Sequence, residues 1–123
     1  MPFTIEYIGD QDYILSTFTG PITMALVHKY IEALLPILED TGCQRLLSDS
    51  THAQLQVTTM DIIQFPKMAE ASPLTTTLKR AALAPVGTSG YEMYEAFSRI
   101  QGHSVRVFTD RSEAAEWLLS DED

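Results

Sequence analysis

Hydrophobic and polar residues alternate near the start of the chain, which is typical of β-strands. Phe3, Ile5 and Tyr7 alternate with polar residues, so they predict a half-buried first strand. A turn at residues 9–12 leads to the segment Tyr13–Thr19, which is rich in aromatic and β-branched residues and predicts a second strand. So short a connection makes the two strands an antiparallel hairpin.

Helical spacing of apolar residues begins after the hairpin. Thr23 is the predicted N-cap of a first helix, Pro36 is expected to kink that helix or end it early, and Gly42 is expected to close it. A short strand at Gln44–Asp49 follows, and the polar residues 50–57 predict an irregular connection.

The rest of the chain repeats the helix–strand pattern. A helix is predicted from the segment Thr58–Asp61 onward, and Ser72-Pro73 ends it. The later predicted elements are a strand at Leu78–Ala84, a glycine-containing loop at Val86–Gly90, a helix at Tyr91–Ile100, a strand at Ser104–Thr109 and a last helix that begins at Asp110.

The order β-β-α-β-α-β-α-β-α predicts an α/β fold with a five-stranded mixed sheet. The first strand is antiparallel, and right-handed crossovers make the other four parallel. The alternating first and last strands predict helices mainly on one face of the sheet and a wetter opposite face. There Ile8 and Phe108 are candidates to form a homodimer contact. Residues 1–123 are expected to form a single domain.

The amino-acid composition excludes some classes of binding partner and indicates a cellular location. Eight Lys and Arg residues against 17 Asp and Glu residues give a net charge of −9, which argues against nucleic acid or an anionic membrane surface. No apolar stretch is long enough to span a bilayer. Cys43 is the single cysteine, so no intramolecular disulfide can form, and we predict a reducing, cytoplasmic location.

The C-terminal strand and helix carry a family resemblance. The run Val105–Asp110, followed by Glu113–Ala115 and Trp117-Leu118, resembles the V-x-V-F-x-D strand and E-A-x-x-W-L helix of the SpoIIAA-like (STAS) family. The order of the elements also fits that family, whose fold is shared with the CRAL-TRIO lipid carriers. The resemblance implies a non-enzymatic regulatory or interaction module, like the anti-sigma-factor antagonists, with a protein partner and no cofactor.

The same resemblance marks a candidate phosphoacceptor. In phosphorylatable family members the strand after the first helix ends in D-S-S-G, and the second serine receives the phosphate. Here that place holds Asp49-Ser50-Thr51-His52, so Thr51 is the aligned acceptor. The glycine is missing and a longer segment precedes the next helix, so we predict that Thr51 is not modified.

Other candidate chemistry is weaker. Asp49, Ser50 and His52 are the residue types of a hydrolase triad, but adjacent side chains cannot align nucleophile, base and orienter, so a polar capping loop is favoured. The three histidines are spread over three elements and predict no metal site. Cys43 is expected to be buried and inert. An enzyme would need titratable groups from several elements converging in one cleft, and the sequence offers no such set.

The expected position of a site is the edge where the parallel strands end. A small-molecule or lipid-binding module on the same fold is the alternative to the interaction module. Residues 87–90 could present backbone amides to an anion, and Tyr91 and Tyr94 could line a pocket. The candidate interaction or ligand loop comprises Asp49, Ser50, Thr51, Thr88, Ser89 and Tyr91.

Overall fold

The computed structural model describes residues 2–87 and 90–122, and these residues form one five-stranded sheet with helices on both faces. The elements in chain order are β1 (Phe3–Ile8), β2 (Tyr13–Ile22), α1 (Met24–Thr41), β3 (Arg45–Leu55), α2 (Thr59–Ala69), the short α3 (Pro73–Thr76), β4 (Lys79–Leu83), α4 (Gly90–Ile100), β5 (Val105–Phe108) and α5 (Arg111–Leu119).

The strands lie in the sheet in the same order as in the chain. β1 pairs antiparallel with β2, and every later pair is parallel, which confirms the predicted mixed sheet. Each crossover therefore moves one strand along the sheet in the same direction. Right-handed crossovers then place α1, α2 and α4 on one face. Among the described helices, α5, after the last strand, packs on the opposite face.

Two hydrophobic clusters fill the two sides of the sheet. Leu46 and Leu47 are neighbours in β3, and because strand side chains alternate, they belong to different clusters. The first cluster joins the sheet to α1 and includes Ile14, Phe18, Leu26, Tyr30, Leu34, Leu38 and Leu46. The second joins the sheet to α5 and consists of Tyr13, Leu47, Ala81, Ala114, Trp117 and Leu118.

The helix boundaries follow local chemistry. Thr23 accepts a hydrogen bond from the Leu26 amide at the start of α1, and Gly42 closes that helix at φ 65°, in the left-handed region. Asp110 caps α5 in the same way, as predicted. The early end expected at Pro36 is wrong, because α1 continues to Thr41 around the single lost backbone bond.

The irregular segment predicted after Asp49 is wrong. β3 continues to Leu55, because β2 also continues to Ile22 and pairs with it along this stretch. β4 ends opposite Asp49, at Leu83, so the last part of β3 has a strand neighbour on the β2 side only. The polar side chains of this part gave it the appearance of a loop.

The face expected to be wetter carries α5. Ile8 and Phe108 both lie there, partly buried against the second cluster, and the Phe108 and Trp117 ring centroids are 5.8 Å apart. These residues therefore pack within the chain, and a homodimer through them stays a prediction. None of the helices in the described ranges is both long and apolar enough to cross a bilayer.

Candidate functional site

The predicted polar loop is a β-bulge. Thr17 pairs with Asp49 and Thr19 with His52, so β3 holds one more residue than β2 across this step. The Asp49 carboxylate stabilises the bulge, because its Oδ1 accepts hydrogen bonds from the Thr51 amide at 3.0 Å and the Thr51 hydroxyl at 2.7 Å. Asp49 and Thr51 are thus hydrogen-bonded to each other within β3, and the predicted polar capping loop is wrong.

Ser50 lies on the same sheet face as Leu46 and Ser48, beneath α4, and the bulge brings Ala53 and Leu55 to that face as well. Ser50 is buried, and so is Tyr91 in the first turn of α4. Burial raises the pKa of the Tyr91 hydroxyl, and the neighbouring Ser50 hydroxyl opposes part of that rise. The Tyr91 hydroxyl nevertheless makes no hydrogen bond of normal geometry within the described structure. Of the predicted site residues, Thr88 and Ser89 lie outside the described residues, and with them the middle of the predicted amide site at residues 87–90.

Phosphopeptide mapping of the protein from its native host should find Thr51 and Ser50 unmodified. A phosphate on Thr51 would bring nearly two negative charges beside the Asp49 carboxylate that now accepts its hydroxyl proton. Ser50 is only 5% exposed, so a kinase could not reach it without opening the strand. Phosphate on either residue in the mapped peptides would contradict this prediction.

A cavity of about 150 Å³ lies between the sheet and the helices of its more covered face. Its floor is formed by residues of β2, β3 and β4, including Ser48 and Ala82. Its walls are apolar side chains of α1 and α2, together with Tyr91 and Tyr94 of α4. Both tyrosines that the sequence suggested as pocket residues therefore line one space.

The cavity opens between α1 and α2. Val27 and Ile31 on α1, and Phe65 and Met68 on α2, line the cavity and keep part of their surface exposed. Ser48 lies in the central strand and is also only partly buried. Because strands flank it on both sides, we infer that its exposed surface faces the open cavity.

Arg80 of β4 places a charged group in the floor of this largely apolar cavity. It is 8% exposed, on the strand face below the cavity. Its Nη1 donates to the Tyr94 hydroxyl at 3.1 Å, and its Nη2 is 2.7 Å from His103 Nδ1. A guanidinium has donors only, so Nδ1 must be the acceptor and the proton of a neutral imidazole lies on Nε2. That nitrogen is 3.2 Å from Glu70 Oε1, to which it donates.

Tyr30 of α1 is a further polar residue in the walls. Its hydroxyl lies 2.7 Å from the Ser16 hydroxyl, in a fully buried pair. Its ring packs edge-on against Phe18 at 4.8 Å and against Phe3 at 5.6 Å between centroids. Burial raises the pKa of Tyr30 far above its usual value, and the Ser16 hydrogen bond only partly opposes this.

The other reactive side chains stay apart. Burial raises the pKa of the Cys43 thiol, which is held between the Asp12 and Arg45 carbonyls. His28 and His52 are exposed on separate elements. Within residues 2–87 and 90–122, no group of three or more His, Cys, Asp or Glu residues could hold a metal ion.

Sequence reasoning missed Arg80 as a site residue. The strand Leu78–Ala84 was predicted, and in it Arg80 alternates with the apolar Leu78 and Ala82 on one face. A charged residue in an apolar stripe was the available signal. The sequence does not show that this face of β4 borders the cavity, because the position of the cavity depends on where α1 and α2 pack.

Comparison with known proteins gives the fold. No family model and no curated protein matches the sequence. The structure is similar to the crystal structure of an uncharacterized protein from the DUF3478 family with a SpoIIAA-like fold, from Shewanella loihica PV-4. The alignment has a TM-score of 0.55 and 20% sequence identity, and it covers 94% of this chain and 91% of that chain. The SpoIIAA-like fold that the C-terminal residues indicated is therefore confirmed.

Proposed function

We propose that the protein is a non-enzymatic binding module that holds a small apolar molecule in the cavity between α1, α2, α4 and the sheet. The single observation that carries this proposal is the open, apolar-walled space of about 150 Å³. Protein interiors are close-packed, and voids larger than a water molecule are few. Because the cavity is open, water contacts its apolar walls, and a ligand that covers them gains hydrophobic free energy.

The size of the cavity limits the ligand class. A space of about 150 Å³ has room for a benzene-sized molecule. The open side between α1 and α2 leaves room for a substituent to extend outward. The predicted likeness to lipid carriers supports the proposal only as an analogy of fold. The cavity itself favours an aromatic ring or a short alkyl chain.

The hydrogen bonds of the cavity support binding without catalysis. The Ser48 hydroxyl in the floor donates to the Ala81 carbonyl at 3.5 Å, and among the described residues no base accepts from it. The regulatory role, the protein partner and the cytoplasmic location stay predictions. The regulatory role and ligand binding are compatible if the protein partner binds only the ligand-filled form or only the ligand-free form.

Filling the cavity should abolish ligand binding. Ala82 is 4% exposed and lies in the cavity floor, so Ala82→Leu adds three carbon atoms to the space that the ligand needs. We expect 2-phenylethanol to shift the NMR signals of cavity residues in the wild type and to have no such effect in the variant. The free energy of unfolding should rise by about 0.5–2 kcal/mol, as is common for cavity-filling substitutions.

Ala96→Leu is the matched control, because Ala96 is exposed on α4 and outside the cavity. This variant should bind 2-phenylethanol like the wild type. If Ala82→Leu proves too large for the floor, Ala82→Val adds two carbon atoms at the same place, with a residue that suits a strand, and should weaken binding. Absence of binding to the wild type, or signal shifts confined to residues outside the cavity, would refute the proposed function.

A further inference from the structure

Arg80 is a buried cation whose charge is not directly balanced. Its two observed hydrogen-bond partners, Tyr94 and His103, are both neutral groups. No ion pair joins Arg80 to a carboxylate within the described ranges. Glu70 reaches it only through the imidazole of His103. A buried charge is costly unless it is paired and its donors are satisfied.

The guanidinium also has a spare donor. Arg80 Nε is fully buried and has no hydrogen-bond partner in the described structure. A buried donor without a partner destabilises the fold, because it has lost its hydrogen bonds to water. A carboxylate accepts strong, charge-assisted hydrogen bonds from a guanidinium. Nε itself is enclosed by protein, but Arg80 lines the cavity, so an organic acid bound there would supply the negative charge that Arg80 lacks.

We propose that the cavity selects an organic acid, whose apolar body fills the space while its carboxylate pairs with Arg80. This inference rests on the proposed function and adds the chemical class of the ligand. The benzene-sized volume favours an aromatic or short-chain carboxylic acid. The net charge of −9 repels anions at long range, so the preference for an acid arises locally, at Arg80.

A matched pair of probes tests this. Phenylacetate and 2-phenylethanol have the same apolar body, and only the first has a carboxylate. Calorimetric titration of the wild type near pH 7 should show phenylacetate binding about tenfold more tightly, as expected for a charge-assisted hydrogen bond in a buried site. In Arg80→Met this preference should disappear, while 2-phenylethanol still binds.

Arg106→Met is the control for the change in net charge. Arg106 is exposed on β5, on the opposite face of the sheet, where its guanidinium lies 5.6 Å from the Trp117 ring centroid. This variant should keep the preference for phenylacetate. Thermal unfolding of each variant checks that the fold is intact, and the two probes on the wild type decide the matter even if Arg80→Met does not fold.

The outcomes separate the two proposals. Equal affinity of the wild type for both probes, or a preference for phenylacetate that survives Arg80→Met, would overturn the role of Arg80 and leave the binding cavity in place. Failure of the wild type to bind either probe would overturn the proposed function and this inference together.

Discussion

Trp117→Ala should lower the free energy of unfolding by about 3–5 kcal/mol, the usual cost of removing a buried Trp side chain. Trp117 is 4% exposed and lies in the cluster that attaches α5 to the sheet. Lys79 Nζ is 4.5 Å from its ring centroid, and the same ammonium donates to the Trp117 and Ser120 carbonyls at the end of α5. Loss of the ring should therefore loosen the whole helix.

Urea unfolding followed by circular dichroism measures this effect, since the single tryptophan of the chain is lost in the variant. Trp117→Phe should cost clearly less than Trp117→Ala, because it keeps an aromatic ring and the indole N–H of Trp117 has no hydrogen-bond partner to lose in the described structure. Leu119→Ala is the control on the same helix, where Leu119 is 40% exposed. A cost for Trp117→Ala no larger than that for Leu119→Ala would mean that α5 does not stabilise the fold.

Alkaline pH should destabilise the protein through Tyr30. Burial raises the pKa of this phenol far above its value in the unfolded chain, which is about 10. The folded state therefore keeps its proton after the unfolded state has lost it, so stability is fully present below about pH 10 and falls as pH rises further. For this one group the slope approaches about 1.4 kcal/mol per pH unit as pH rises above 10.

Urea unfolding at a series of pH values from 7 to 11 measures the decline. Tyr30→Phe removes the ionisation and keeps the ring contacts with Phe3 and Phe18, so its stability should be lower at neutral pH, where the Ser16 hydrogen bond is lost, but should fall less above pH 10. Tyr91 also has a raised pKa, so part of the decline should remain in the variant. Equal slopes for the wild type and Tyr30→Phe above pH 10 would contradict the assignment to Tyr30.

Most of the fold could be predicted from local features of the sequence, namely turns, the spacing of apolar residues and helix caps. The short turn after β1 dictated a hairpin, and the 3.6-residue spacing of apolar side chains marked α1. Thr23 and Asp110 marked helix starts, because an N-cap needs only a side chain and the amides two or three residues later. The alternation of strands and helices then left few topologies, since crossovers are right-handed.

The prediction was wrong where the conformation of a segment depends on pairing with a segment distant in the sequence. Pairing with β2, some thirty residues earlier in the chain, extends β3 through polar residues that look like a loop. β3 continues past the end of its neighbour β4, at Leu83. No local sequence pattern shows that β4 ends there. Site residues placed in a loop at Asp49–Thr51 therefore lie in a strand.

The sequence by itself determined the α/β class, the hairpin, the helix caps and the SpoIIAA-like resemblance, because each depends on residues close together in the chain. The tertiary structure alone decided that α1 and α2 leave a cavity between them and that Arg80 lines it. A cavity is a space left by side chains from several elements, so its volume depends on how those elements pack. The charge of Arg80 was visible in the sequence, but its burial and its unfilled donor exist only once β4, α4 and His103 come together.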